Sequence, residues 1–199
     1  MKPLKRLVID TATSNLYLAL ALGDKQLSSV YNLGNHDHSV TIIPIIDEML
    51  KVQGWTLKDI DQVIIGIGPG SYTGVRIGVS IAKMIGYLNE IDVFTVSSLT
   101  LLATASEATY VLPFIDARRN QAFMAFLKQD ESQFSVIKTE VLLDIDEFKK
   151  NIDVLYEEVK TGCPKIEKLF NSSFLCKVDN IHDLVPNYLQ ITEAERNKK

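Results

Sequence analysis

The chain has 199 residues, 46% of them hydrophobic and 23% charged, with a formal net charge of −4, which suits one ordinary domain or two small ones around a proper core. No basic stripe runs longer than residues 2–6, so autonomous binding to a nucleic-acid backbone is not expected. No apolar run approaches the roughly 18 residues that cross a bilayer, and the opening MKPLKRLVID lacks cleavable-signal character, so a cytoplasmic, membrane-free location is expected.

Residues 4–10 and 16–22 alternate apolar and polar and are separated by the turn-like 11–15. A third alternating run, 26–33, follows Gly23-Asp24, and together they predict three short strands. Residues 39–52 carry Ile42, Ile45, Ile46, Met49 and Leu50 at helical spacing, with Ser39 as N-cap, Gly54 beyond the end and Pro44 inside. Strand 63–67, helix 72–88, strand 92–96 and helix 97–106 come next. The second half reads as strands 110–116, 121–128 and 134–143, a short helix 146–151, a strand 154–159 and a helix 164–170 with proline in its first turn. Both halves follow the order βββαβα. The expected fold is therefore α/β with two lobes facing a cleft, residues 1–108 in the first lobe and 109–199 in the second, whose end packs back on the first.

The stretch "GPGSYTGVRIG" at 68–78 looks like a phosphate loop, but both common templates fail. The GxGxxG spacing is not met by Gly66, Gly68 and Gly70, and no Gly-Lys-Ser/Thr follows, the region reading Thr73-Gly74-Val75-Arg76. Two readings remain: a tight turn with Ser71 capping the helix, which is favoured because such caps are common, or an anion at the helix N-terminus. On helix 72–88 the polar residues Arg76, Ser80, Lys83 and Tyr87 fall in one arc. At 100° per residue the rest is apolar or glycine over roughly 220°, against the ~100° stripe of an ordinary surface helix. One flank holds Ile77, Ile81, Met84 and Leu88, the other Val75, Val79 and Gly86. One flank can pack on a sheet. The other needs a neighbour, either the 39–52 helix or another protein.

The segments "LVIDTATSNLYLAL", "HSVTIIPIIDEML", "GIGPGSYTGVRIGVSIAKMIGY", "VSSLTLLA", "PFIDARRNQAFMAF" and "PNYLQITEAER" occur in this order and resemble the TsaB (YeaZ) family. That resemblance implies an actin-like (ribonuclease H-like) superfold shared with Hsp70 and sugar kinases. It further implies a non-catalytic subunit that dimerises with the catalytic paralogue TsaD, with the ATPase TsaE joining. The complex uses ATP and transfers threonylcarbamoyl to the adenosine next to the anticodon of tRNAs reading codons that begin with A. This chain alone would bind no cofactor, would meet tRNA only through the complex and would homodimerise in the absence of TsaD. The interface implied lies on the helices 39–52 and 72–88, with Ile42, Ile45, Ile46, Met49, Tyr72, Gly74, Ile77, Gly78, Ile81, Met84 and Leu88 as its residues. Two departures stand out. Val40 follows Ser39 where a polar residue is expected, and the little sequence between Val159 and Pro164 points to an abridged second lobe.

The alternative is an active ATPase or phosphotransferase of the same superfold, with Asp10 and Asp116 at the positions where active members handle phosphate. Against it, Thr11-Ala12-Thr13 and Ala117-Arg118-Arg119 lack the hairpin glycines that let backbone approach a phosphate. Asp10 and Asp116 are read chiefly as turn formers. His36 and His38, two apart in "NHDHS", make an incomplete metal site and read as a polar entry to the first helix. Cys163 and Cys176 form no CxxC pair and are expected to be buried thiols of a reducing compartment. No nucleophile with a nearby base can be picked out, His182 being the third histidine.

Overall fold

The computed structural model describes residues 2–33, 38–130 and 133–189. Strands β1 (Lys5–Asp10), β2 (Asn15–Leu22) and β3 (Lys25–Leu33) form an antiparallel meander. Helix α1 (His38–Val52) leads to β4 (Gln62–Gly66), parallel to β1, and helix α2 (Tyr72–Asn89) leads to β5 (Asp92–Val96), parallel to β4. The strand order is thus β3-β2-β1-β4-β5. After α3 (Ser98–Ala103) the pattern restarts: β6 (Tyr110–Asp116), β7 (Gln121–Asp130) and β8 (Gln133–Asp144) are antiparallel neighbours. Helix α4 (Ile145–Lys149) then leads to β9 (Glu157–Val159), parallel to β6, giving β8-β7-β6-β9. Two copies of one ribonuclease H-like order make the actin-like plan, and among the described residues the second copy stops one strand short. Strand β10 (Cys176–Lys177) returns to the first sheet and pairs antiparallel with the edge strand β5.

Period-two alternation assigns each side chain to a layer. In the first sheet Leu7, Ile9, Leu18, Val63 and Ile65 point into the core beneath α1 and α2. Val8, Tyr17, Ala19 and Ile64 point to the opposite face and pack with α3 and with Val111, Ile115, Phe123 and Leu127 of the second sheet. The other face of the second sheet, through Leu112, Phe114, Met124 and Phe126, packs on Phe148 of α4. The central strands β1, β2, β4, β6 and β7 are therefore covered on both faces, whereas the edge strands β3 and β8 keep exposed polar positions.

Several sequence expectations are corrected. The helix expected over 164–170 is a single 3-10 turn, Ile166–Leu169, and the strand expected over 154–159 shrinks to β9. Ser39 lies inside α1, which starts at His38, so it is not the residue before the helix. Ser71 caps α2 as expected, its Oγ accepting from the Gly74 N–H at 3.2 Å, and Ser97 caps α3, its Oγ accepting from the N–H groups of Leu99 and Thr100. Both cysteines are exposed rather than buried, Cys163 in an irregular surface segment and Cys176 on the two-residue strand β10 at the sheet edge. Among the described residues no helix is long and apolar enough to cross a membrane, and no group of His, Cys, Asp and Glu could hold a metal. His36, the side chain of His38 and residues 190–199 lie outside the description.

Candidate functional site

The glycines of "GPGSYTGVRIG" serve the chain's own first turn. Residues Thr11 and Ala12, directly after β1, are fully buried under the start of α2. The Thr11 hydroxyl donates to the Gly74 carbonyl at 2.7 Å, and the Ser71 N–H donates to the Ala12 carbonyl at 2.7 Å. A Cβ on Gly74 would lie 2.1 Å from the Thr11 carbonyl oxygen, and one on Gly78 2.4 Å from its Oγ1. Only glycine permits that approach. The place where a phosphate would lie against the helix is filled by the Thr11-Ala12 backbone, and the N–H groups of Ser71, Gly74 and Val75 already have protein partners.

Asp10 and Asp116 end equivalent strands and make the same local bond. Asp10 Oδ1 accepts from the Ala12 N–H and Asp116 Oδ1 from the Arg118 N–H, each at 2.8 Å. Their surroundings differ. Asp10 is buried against Gly66, and its Oδ2 has no hydrogen-bond partner among the described groups. Burial pushes its pKa above the ordinary carboxylate value, opposed by the Ser98 hydroxyl and the Ala12 N–H. Asp116 is exposed at a turn whose next residues, Arg118, Arg119 and Asn120, all have positive φ (69°, 54° and 60°). Neither turn fits a triphosphate cradle: the first is packed shut, and the second places side chains where glycine would be needed.

Helix α2 divides sharply by face. Val75, Val79 and Gly86, together with Gly74, Gly78, Ala82 and Ile85, are buried toward the sheet. On the other side Tyr72, Met84, Tyr87 and Leu88 are 46%, 47%, 61% and 70% exposed. Arg76 lies over the Tyr72 ring, its guanidinium carbon 5.1 Å from the centroid.

One border of this outward face comes from the C-terminal segment. Residues 178–189 run along α2 as a strap. The Lys83 ammonium donates to the carbonyls of His182 (2.9 Å) and Leu184 (3.2 Å), His182 meets Tyr87 edge-on, and Tyr188 lies against Tyr72 with centroids 5.1 Å apart. Lys83 and Tyr87, two members of the polar arc, touch the strap, Tyr87 while still 61% exposed. The alternation of lysine and tyrosine with apolar positions carries no signal for a partner 99 residues away.

A family model described as "TsaD: tRNA N6-adenosine threonylcarbamoyltransferase" matches residues 32–191. The chain is 32% identical to a protein of Haemophilus influenzae named "tRNA threonylcarbamoyladenosine biosynthesis protein TsaB", over 87% of this chain and 71% of that one. The chain belongs to the TsaB (YeaZ) family. The TsaB protein of Bacillus subtilis is 29% identical, with 95% of each chain covered. The fold agrees: YeaZ from Pseudomonas aeruginosa superposes with a TM-score of 0.73 at 24% identity, covering 81% of each chain. A second structure, titled "an uncharacterized protein with similarity to peptidase YEAZ from Pseudomonas aeruginosa", gives a TM-score of 0.78 at 20% identity over 94% of this chain and all of that one.

The residues that the TsaB resemblance marks for the interface fall into three groups. Ile42, Ile46, Met49, Gly74 and Gly78 are buried in this chain's own core. Ile45 and Ile77 pack partly on the core, and Ile81 lies at its rim. Tyr72, Met84 and Leu88 are open to solvent.

Proposed function

We propose that this TsaB-family chain works in tRNA threonylcarbamoyladenosine biosynthesis as a non-catalytic subunit that pairs with TsaD through the outward face of α2. The observation that supports the reading most is that face itself. It carries Met84, Tyr87 and Leu88 exposed on a helix whose opposite side is fully buried, and large apolar residues gathered on one surface mark a protein contact. The closed first turn, with Thr11 and Ala12 where a phosphate would lie, supports a subunit that leaves nucleotide chemistry to its partners. In this reading ATP is used by the assembly with TsaD and TsaE, tRNA is met only through it, and without TsaD the same face pairs two copies of the chain. The adenosine modified is the one next to the anticodon in tRNAs reading codons that begin with A, and the site of action is the cytoplasm.

The test is light scattering on size-exclusion chromatography of this chain with TsaD from the same cell. The expected result is a 1:1 heterodimer that Met84→Arg and Leu88→Glu each abolish, while circular dichroism and melting temperature of the variants stay unchanged because both positions are exposed. Intact heterodimer with both variants overturns the assignment of this face. ATP hydrolysis by the purified chain, lost on Asp10→Asn, overturns the non-catalytic reading.

A further inference from the structure

A cavity of about 470 Å³ opens on the far side of the strap from α2, and its wall comes from both lobes. Val96 and Thr100 line it from the first lobe, Ala125 and Leu127 from β7, and Glu140 from β8, with Asn187 of the strap completing the wall. The volume lies in the range of small-molecule sites, and the lining is mostly apolar with a few convergent polar groups, the usual character of such sites.

Glu140 gives the cavity its chemistry. Its Oε2 accepts from the Asn187 side-chain amide at 3.1 Å, and the Asn187 N–H in turn donates to the Ile67 carbonyl at 2.7 Å, so the carboxylate is fixed in place by the strap. Among the described residues lining the cavity there is no Lys, Arg or His. The lysines nearest along the chain are engaged elsewhere: Lys138 donates to the Phe148 carbonyl at 3.2 Å, and Lys177 pairs with Asp92 at 2.8 Å. A half-buried carboxylate with neutral hydrogen-bond donors and no counter-charge is an incomplete arrangement in an apolar setting. Consistently, burial raises the Glu140 pKa above the ordinary value, against the pull of the Ser97 hydroxyl and the Asn187 amide. An ammonium group would supply the missing charge and donors, and an apolar body behind it would cover Val96, Ala125 and Leu127.

We infer that this interlobe cavity binds a small organic cation, a primary amine carried on an apolar body, with Glu140 as its charge partner. The site goes beyond the role with TsaD, and its test is independent of that pairing. Because its walls belong to both lobes and to the strap, an occupant fastens the three together.

The experiment is isothermal titration calorimetry at pH 8 with phenethylamine, using 2-phenylethanol and 3-phenylpropionate as neutral and anionic comparators. The amine is expected to bind about tenfold more tightly than the alcohol, the order of one partly shielded charge pair, and the carboxylate not measurably. Glu140→Gln keeps an acceptor for Asn187 and removes only the charge, so it should bring the amine down to the level of the alcohol. Thr139→Trp, at an exposed position on the rim, should block both ligands without disturbing the core. No heat with the amine, equal binding of amine and alcohol, or a preference that survives Glu140→Gln would each overturn the inference.

Discussion

The first and second lobes repeat one strand order, yet they treat their first turns in opposite ways. In the first lobe the turn after β1 is swallowed: Asp10, Thr11 and Ala12 are buried beneath an eighteen-residue helix whose glycines make room for them. In the second lobe the turn after β6 stands in solvent, with Arg118, Arg119 and Asn120 held left-handed by local bonds, among them Asn120 Nδ2 to Asp144 at 2.7 Å and the Ile145 N–H to the Asn120 carbonyl at 3.2 Å. The difference follows from what comes after the fourth strand of each copy. The first copy has α2 there, whereas the second has a single 3-10 turn, Ile166–Leu169, too short to roof anything. A duplicated scaffold thus gives a roofed turn in one lobe and an open basic turn in the other.

The contrast can be broken most severely at the roof. Gly78→Val should cost about 2–3 kcal/mol, because a Cβ there would lie 2.4 Å from Thr11 Oγ1 and 3.2 Å from Ile65 Cδ1. Urea unfolding measures it, and a loss under about 1 kcal/mol would mean that α2 can lift off the turn freely. Next comes the tie between the lobes. The Tyr31 hydroxyl receives Asn15 Nδ2 at 2.6 Å and the Gly162 N–H at 3.0 Å and meets Thr161 Oγ1 at 2.9 Å. Tyr31→Phe leaves those groups without it and should cost about 1–2 kcal/mol in the same assay.

The open turn should respond in the other direction. Arg119→Gly, which relieves one left-handed residue in solvent, is expected to change stability by less than about 1 kcal/mol, with stabilisation the expected sign. The finest test is a slope. Because burial raises the folded-state pKa of Asp10, the folded chain binds its proton more tightly than the unfolded one. Stability from this group is present below the unfolded value of 3.8 and declines as pH rises through the folded pKa. Asp10→Asn should flatten that decline in denaturant midpoints taken from pH 4 upward, whereas an unchanged slope would show that Asp10 does not drive it.

What the sequence determined by itself is what short-range geometry can carry. Alternation and short apolar runs located β1 to β8 within a residue or two, the serine before α2 announced its cap, and the failure of both phosphate templates at Gly68 to Gly78 favoured a tight turn over an anion site. The arc count on α2 also showed that one surface could not cover the helix. The tertiary structure alone decided which flank is outward, because that depends on where β4 and the first turn lie beneath it. It alone showed that Ile42, Ile46 and Met49 face inward, that Lys83 and Tyr87 serve the strap, and that Cys163 and Cys176 are exposed. The reason is one of range. Periodicity fixes the angle between side chains on one element, while coverage is set by contacts such as Lys83 with Leu184, 101 residues apart, or Asn15 with Thr161, 146 apart, about which local patterns carry no information.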